Sequence, residues 1–200
     1  MDDANEGMRK ALLVLLVIII AGASFYLGIY IAHSEVKADL NANNQSATLI
    51  SSSSLFLITS PEGNAEDKIV ELIQSANQSI EVEMYIFTNS KLSDALINAK
   101  KRGVEVKLIL GSTEGEDIEG VITLLTGNGI EVRNASKEFR TMHSKIMVVD
   151  GAIVLIGSHN WSQSAMFYNR EISVIIHDST ISKQVQNIFY SDWSKSTSLS

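Results

Sequence analysis

Asp150-Gly151 sits between two apolar runs, Ile146–Val149 and Ala152–Ile156. The tightest hairpin turn needs positive φ at both central residues, which Gly adopts freely and Asp tolerates. The pair therefore predicts two antiparallel strands, Lys145–Val149 and Ile153–Ile156, joined by a two-residue turn. Such a turn sets the register: Val149 faces Ala152, and counting outward puts His143 opposite Ser158. Opposed residues share a face, and the period of two adds Lys145 and Asn160 to it. Hairpin geometry then gathers an imidazole, an ammonium, a hydroxyl and an amide on one side of a sheet, with Ile156 among them. Asp150 stays in the turn, away from the cluster, and is predicted to be structural.

The chain upstream alternates between two periods. Leu55–Ile58 is a short apolar run ending at Pro61-Glu62-Gly63. Glu66–Ala76, Lys91–Arg102 and Ile118–Thr126 carry apolar residues at helical spacing. Ser79–Phe87, Val104–Leu110 and Ile130–Arg133 read as strands between them. This alternation predicts crossover units, hence an α/β fold with a mixed or parallel sheet flanked by helices. Downstream of the hairpin, Glu171–Ile176 reads as a strand and Ile181–Trp193 as a closing helix.

The N-terminus is of another kind. Residues 11–32 contain no charged side chain, and as a helix they span about 33 Å, close to the roughly 30 Å of a bilayer core. One transmembrane helix is the expectation, with a cleaved signal peptide as its rival. Arg9 and Lys10 before the span, against Lys37 after it, put the N-terminus in the cytoplasm and the rest of the chain on the extracytoplasmic side. Residues 33–53 are polar and rich in Asn and Ser, as a flexible tether is. The division expected is an N-terminal flank over 1–10, an anchor over 11–32, a tether over 33–53, a folded domain over 54–194 and a disordered tail over 195–200. The protein is then a single-pass membrane protein.

Composition narrows the chemistry. No cysteine is present, which excludes a thiol nucleophile and a cysteine-ligated metal. A formal net charge of −7 speaks against a strong basic field for nucleic acid. What remains concentrated is the set His143, Lys145, Ser158 and Asn160. Lys145 and Asn160 can donate to phosphoryl oxygens as charge develops on them, Ser158 adds a hydroxyl, and His143 can attack phosphorus or transfer protons. No two-metal carboxylate cluster is evident, so neither metal nor other cofactor is expected.

Other residues have plainer readings. His159 alternates to the opposite face. Trp161 and Tyr168 are expected to pack. Lys100, Lys101, Arg102 and Lys107 read as the solvated end of a helix, and Glu114, Glu116, Asp117 and Glu119 as an acidic loop and helix start.

His143-x-Lys145-x4-Asp150 resembles the HKD motif of the phospholipase D superfamily. Gly157-Ser158-x-Asn160 and Asn169-x-Glu171 match its downstream elements, and Pro61-x-Gly63, the Ile80–Tyr85 strand with Phe87-Thr88-Asn89, and Arg102-Gly103-Val104 its upstream ones. The resemblance covers residues 54–193 and is strongest to relatives with one motif per chain, the small bacterial endonucleases and the membrane-anchored mitochondrial cardiolipin hydrolase. It implies a phospholipase D-like mixed sheet, a covalent phosphohistidine on His143, and phosphate binding by Lys145, Ser158 and Asn160. It also implies that Glu171 accepts a hydrogen bond from His143 and sets its tautomer, and that no metal takes part.

One motif supplies one histidine, whereas the two-step reaction calls for a nucleophile and a general acid. A homodimer with a composite active site is therefore expected. Three readings of function stay open: hydrolysis of phospholipid beside the membrane, cleavage of DNA or RNA, and a membrane scaffold without activity.

Overall fold

The computed structural model describes residues 26, 27, 30 and 55–199. Tyr26, Leu27 and Tyr30 are helical and exposed, and they lie in a unit separate from that of residues 51–200. The expected flank and tether, and the anchor apart from those three residues, lie outside the described residues. Among the described residues no helix is long and apolar enough to cross a membrane.

The two sequence periods become strands and helices close to where they predict them. In chain order these are β1 (Leu55–Ser60), α1 (Ala65–Ser75), β2 (Ser79–Met84), α2 (Ser90–Lys101), β3 (Glu105–Leu110), α3 (Glu116–Gly127), β4 (Glu131–Asn134), β5 (Lys145–Val149), β6 (Ile153–Gly157), α4 (Gln163–Phe167), β7 (Glu171–His177), α5 (Ser179–Lys195) and β8 (Thr197–Ser198). The strands form one mixed sheet in the order β1-β7-β6-β5-β2-β3-β4-β8. The β2–β3 and β3–β4 pairs, joined through α2 and α3, are parallel, and the rest are antiparallel. The expected α/β class and mixed sheet are thus present.

One face of the sheet is apolar throughout its centre. Ile80, Val82 and Met84 of β2, Met147 and Val149 of β5, and Leu155 of β6 bury there with Ile69 and Ile73 of α1 and Leu92 and Leu96 of α2. The opposite face carries Glu81 and Glu83, which alternation would leave in water. Instead α5 crosses over them, and both carboxyls are buried. Tyr190 Oη donates to Glu81 Oε1 at 3.1 Å. Burial pushes the Glu83 carboxyl up to about 7, with the neighbouring Asp192 adding to the shift against a hydrogen bond from Ser144. Glu81 and Asp192 are raised too, chiefly by burial.

The β8 end of this sheet departs from the sequence reading. Thr197–Ser198 does not fray: it pairs with Arg133 and Asn134 on the free edge of β4, and Leu199 N–H donates to Val132 C=O at 3.0 Å. An open strand edge offers unpaired backbone groups, and α5 delivers the tail to it.

The hairpin register also differs from the two-residue count. Asp150 takes φ 53° and Gly151 φ 59°, and Ala152 N–H closes the turn on Val149 C=O at 3.0 Å. Beyond the turn, however, Val149 pairs with Ile153 and Ile146 with Ile156. Ala152 is absorbed as a bulge, which shifts the ladder by one residue and moves Ile156 to the face opposite Lys145.

The bulged turn is held from outside. The Asp150 carboxylate accepts from the backbone N–H of Asn77 (2.9 Å), Gln78 (2.7 Å) and Ser79 (3.0 Å), and Asp150 N–H returns a bond to Ser79 C=O at 2.9 Å. Burial acts to raise this carboxyl, but the backbone donors outweigh it and leave it below its ordinary value. Asp150 thus locks the tip of β5–β6 to the α1–β2 connection. Replacing it by Ala removes a charged acceptor and leaves three donors without it. The expected cost is about 2–4 kcal/mol, read as a lower urea midpoint with an unchanged slope.

The buried acids give a second expectation. A carboxyl held near 7 in the fold and near 4.5 in the unfolded chain binds its proton more tightly when folded. Its contribution to stability is fully present below pH 4.5 and is lost as pH rises through 7, roughly 3 kcal/mol for Glu83. Urea unfolding at pH 5 and pH 8 should show the wild-type chain weaker at pH 8. Glu83→Gln should remove most of that difference.

Candidate active site

β5, β6 and β7 end together at one edge of the sheet, and the residues that carry chemistry lie there. His143, Lys145, Gly157, Ser158, Asn160 and Glu171 line one open cleft of about 410 Å³. Hairpin geometry predicts His143, Lys145, Ser158 and Asn160 on one side, and the structure brings them together with Glu171. Asp150 is not among them.

Two breaks in regularity let this happen despite the shifted register. Lys145 begins β5 opposite Met84 of β2, and His143 lies in the irregular segment before it. On β6 the regular ladder ends at Gly157. A Cβ there would lie 2.2 Å from Ser173 Oγ and 2.5 Å from Ile172 C=O, so only glycine allows β6 and β7 to press this closely. Next, Ser158 N–H donates to Ile172 C=O at 3.0 Å, but Ile172 N–H donates to Ser158 Oγ, also at 3.0 Å. The serine side chain replaces its own carbonyl in the ladder. The chain can therefore leave the sheet, and it turns Ser158 and Asn160 back toward Lys145.

His143 is exposed at the mouth of the cleft. Lys145 is only 8 % exposed. Its Nζ donates to His143 C=O at 2.8 Å and lies 3.1 Å from His143 Nδ1. Burial lowers the Lys145 pKa, and Glu171 acts in the opposite sense. A partly desolvated ammonium beside an open cleft attracts an anion more strongly than a hydrated one does.

Glu171 departs from the sequence-level expectation in its partners. Its Oε2 accepts from Ser158 Oγ and its Oε1 from Asn169 Nδ2 at 3.1 Å. Among the described residues, those two side chains hold the carboxylate, and His143 is not in hydrogen-bonding contact with it. Ser60 Oγ, fully buried, donates to the carbonyls of Ala165 (2.7 Å) and Asn169 (3.0 Å), tying the α4 loop that presents Glu171 to β1.

The remaining candidates settle into structural places. His159 is buried on the far side of the chain, with Nδ1 2.7 Å from Ser173 Oγ, and burial lowers its pKa against a pull from Glu171. Trp161 is fully buried edge-on to Phe87, and its carbonyl accepts from Thr88 and Asn89. Tyr168, the C-cap residue of α4, is 73 % exposed rather than packed. Arg102 donates to the carbonyls of Ile73, Gln74 and Ala76, so it closes the end of α1.

Sequence reasoning passed over one neighbour of the site. The Tyr85 ring lies 4.6 Å from the His143 ring, and Lys145 Nζ lies 5.2 Å from the Tyr85 centroid. The clue was available: Tyr85 directly follows Met84, and an antiparallel partner of Lys145 places its neighbour at the same sheet edge.

Comparison with known proteins agrees with this geometry. Residues 69–193 match the family model described as cardiolipin synthase, PLD-like domain. Mitochondrial cardiolipin hydrolase of Xenopus tropicalis is 32% identical over 130 residues, covering 65% of this chain and 61% of that protein. The Chlamydomonas reinhardtii protein of the same name is 28% identical, covering 63% of this chain and 56% of its own. The chain thus spans less than two thirds of the length of these hydrolases. Phospholipase D of Rickettsia prowazekii is 26% identical over 166 residues, covering 82% of this chain and 80% of the relative. Among solved structures, Nuc, a phospholipase D family member from Salmonella typhimurium, superposes with a TM-score of 0.70 at 30% identity, over 72% of this chain and 97% of that one. A family model spanning more than half of the chain, and a fold shared along nearly the whole of Nuc, lead to one conclusion: the chain belongs to the phospholipase D-like family of cardiolipin synthase-type domains.

Proposed function

We propose that this chain is a phosphodiesterase that attacks its substrate through His143, and that it hydrolyses phospholipid from a membrane-anchored position. The observation that carries the reading is the cleft itself: an exposed imidazole, a buried ammonium 3.1 Å from it, and the polar side chains of Ser158 and Asn160 lining the same wall. Lys145 and Asn160 hold the non-bridging oxygens, and Ser158 joins them when its hydroxyl proton turns from Glu171 to the phosphate. His143 attacks phosphorus, the bond to the leaving oxygen breaks, and that oxygen takes a proton from a general acid. Water then attacks the phosphohistidine and breaks the phosphorus–nitrogen bond, returning His143. Lipid as substrate is supported by the likeness to cardiolipin hydrolases and to a phospholipase D, and by the uncharged stretch 11–32. A nuclease working by the same steps is the second reading, favoured by the likeness along nearly the whole of Nuc.

Among the described residues the cleft offers no second histidine to serve as general acid. We place it on a second copy, in a homodimer whose two clefts meet. In support, one sheet face beside the site is apolar and open, with Leu57 64 %, Ile172 52 % and Ile156 42 % exposed. The pairings Leu57↔Val174 and Ile156↔Val174 put these side chains on one face, since Ile172 and Val174 are two residues apart on β7.

Full-length chain in detergent with EDTA should hydrolyse one of phosphatidylcholine, cardiolipin, single-stranded DNA or RNA. His143→Ala should lose at least about a thousandfold in kcat. Activity confined to nucleic acid selects the nuclease reading, and loss in EDTA contradicts a metal-free mechanism. Turnover by none of the four sinks the enzymatic reading. Mixing wild-type and His143→Ala chains tests the composite site: activity should fall more steeply than the wild-type fraction, and a proportional fall contradicts it. With the cytoplasm on the N-terminal side, protease added to sealed cells or spheroplasts should trim the domain from the outside.

A further inference from the structure

Lys145 raises a question that the catalytic reading leaves unanswered. An ammonium at 8 % exposure needs charge compensation, since an isolated cation is costly to bury. Among the described residues both of its hydrogen bonds go to His143, and no carboxylate lies within ion-pair distance. Glu171 is the acidic group that faces it from β7, and His143 is the titratable group on its own segment. Met84, opposite on β2, adds no charge. What does face Lys145 at close range is the ring of Tyr85, 5.2 Å from Nζ. The same ring lies 4.6 Å from the His143 imidazole, tilted by 51°. Tyr85 is itself held by the sheet: its carbonyl accepts Ser112 N–H at 2.9 Å, extending the β2–β3 ladder past Met84.

We propose that Tyr85 is a positioning residue of this site: its ring face holds the Lys145 ammonium against His143 and sets the tilt of that imidazole. This rests on the phosphodiesterase reading above for its kinetic consequences, though not for its geometry. The negative face of an aromatic ring attracts a cation, and more strongly where water is excluded. The ring also blocks rotation of His143 toward the sheet, which keeps the imidazole presented to the cleft. An aliphatic side chain of similar volume fills the space and provides neither a quadrupole nor a flat wall.

The test compares three forms of full-length protein in detergent on bis(4-nitrophenyl) phosphate. Tyr85→Phe keeps the ring and should stay within about threefold of wild type, with the same pH dependence. Tyr85→Leu should lose roughly tenfold in kcat with little change in thermal midpoint. Its basic limb in the pH–rate profile should move to lower pH, because Lys145 loses the group that favours its charged form. Pentafluorophenylalanine at position 85 keeps the shape and reverses the quadrupole. It should move the basic limb as Tyr85→Leu does while keeping the wall beside His143, and it stands in should that variant not fold. Proton–carbon NMR of the histidine rings reads the contact without turnover. His143 should be shielded by the ring in wild type and in Tyr85→Phe, and should lose that shielding in Tyr85→Leu. A chain that cleaves no phosphodiester yet shows this pattern overturns the enzymatic reading and leaves the positioning role standing. Wild-type kcat with unmoved His143 resonances in Tyr85→Leu overturns the proposal. So does a loss in Tyr85→Phe as large as in Tyr85→Leu, which would assign the effect to the hydroxyl.

Discussion

The Asp150 carboxylate and the three backbone N–H groups of residues 77–79 form the contact on which the placement of this site depends. β5 and β2 are far apart in sequence, and their pairing joins the hairpin half of the sheet to the crossover half. Asp150 sits where the two halves meet, in a left-handed conformation that its neighbour Gly151 shares. Its acceptors take up donors that the α1–β2 connection would otherwise leave to water. With that end clamped, β5 runs antiparallel to β2 in one register, and Lys145 at its other end arrives opposite Met84. The HKD aspartate therefore acts at a distance, by deciding where the lysine and histidine emerge.

At the cleft end, irregularity does the placing. A regular β6 would send alternate residues to alternate faces and could not present Ser158 and Asn160 together with Lys145 after the one-residue shift at Ala152. Gly157 permits a close approach to β7, and Ser158 substitutes its hydroxyl for a backbone carbonyl in the ladder. The serine thereby serves the backbone as an acceptor while donating to Glu171. Glu171 is in turn presented by a loop pinned through Ser60. The cleft is built from strand ends, where backbone groups are no longer committed to neighbours and side chains can converge.

Much of the fold was legible because its period changes are sharp. Helical spacing over Lys91–Arg102 matches one helix, the strand read over Ser79–Phe87 forms over Ser79–Met84, and Asn89 caps α2 by accepting Leu92 N–H at 2.9 Å. The chemical set His143, Lys145, Ser158 and Asn160 was legible from residue types and spacing. The register behind it was not, because a bulge costs one residue and leaves no mark on local composition. The buried acids Glu81 and Glu83 were also hidden, since a Glu at alternate positions reads as a wet face until α5 is known to cover it.

The sequence by itself determined the class of fold, the hairpin and the residues that can meet a phosphodiester, because periodicity, turn chemistry and functional groups are local properties. Tertiary structure alone decided which neighbours those residues have. It set Tyr85 against His143 and Lys145, gave Glu171 to Ser158 and Asn169, and drew the C-terminal strand onto β4. All but the Glu171–Asn169 bond join segments well separated in the chain, and the packing of the sheet, with its bulge at Ala152 and its close strand approach at Gly157, brings them within reach.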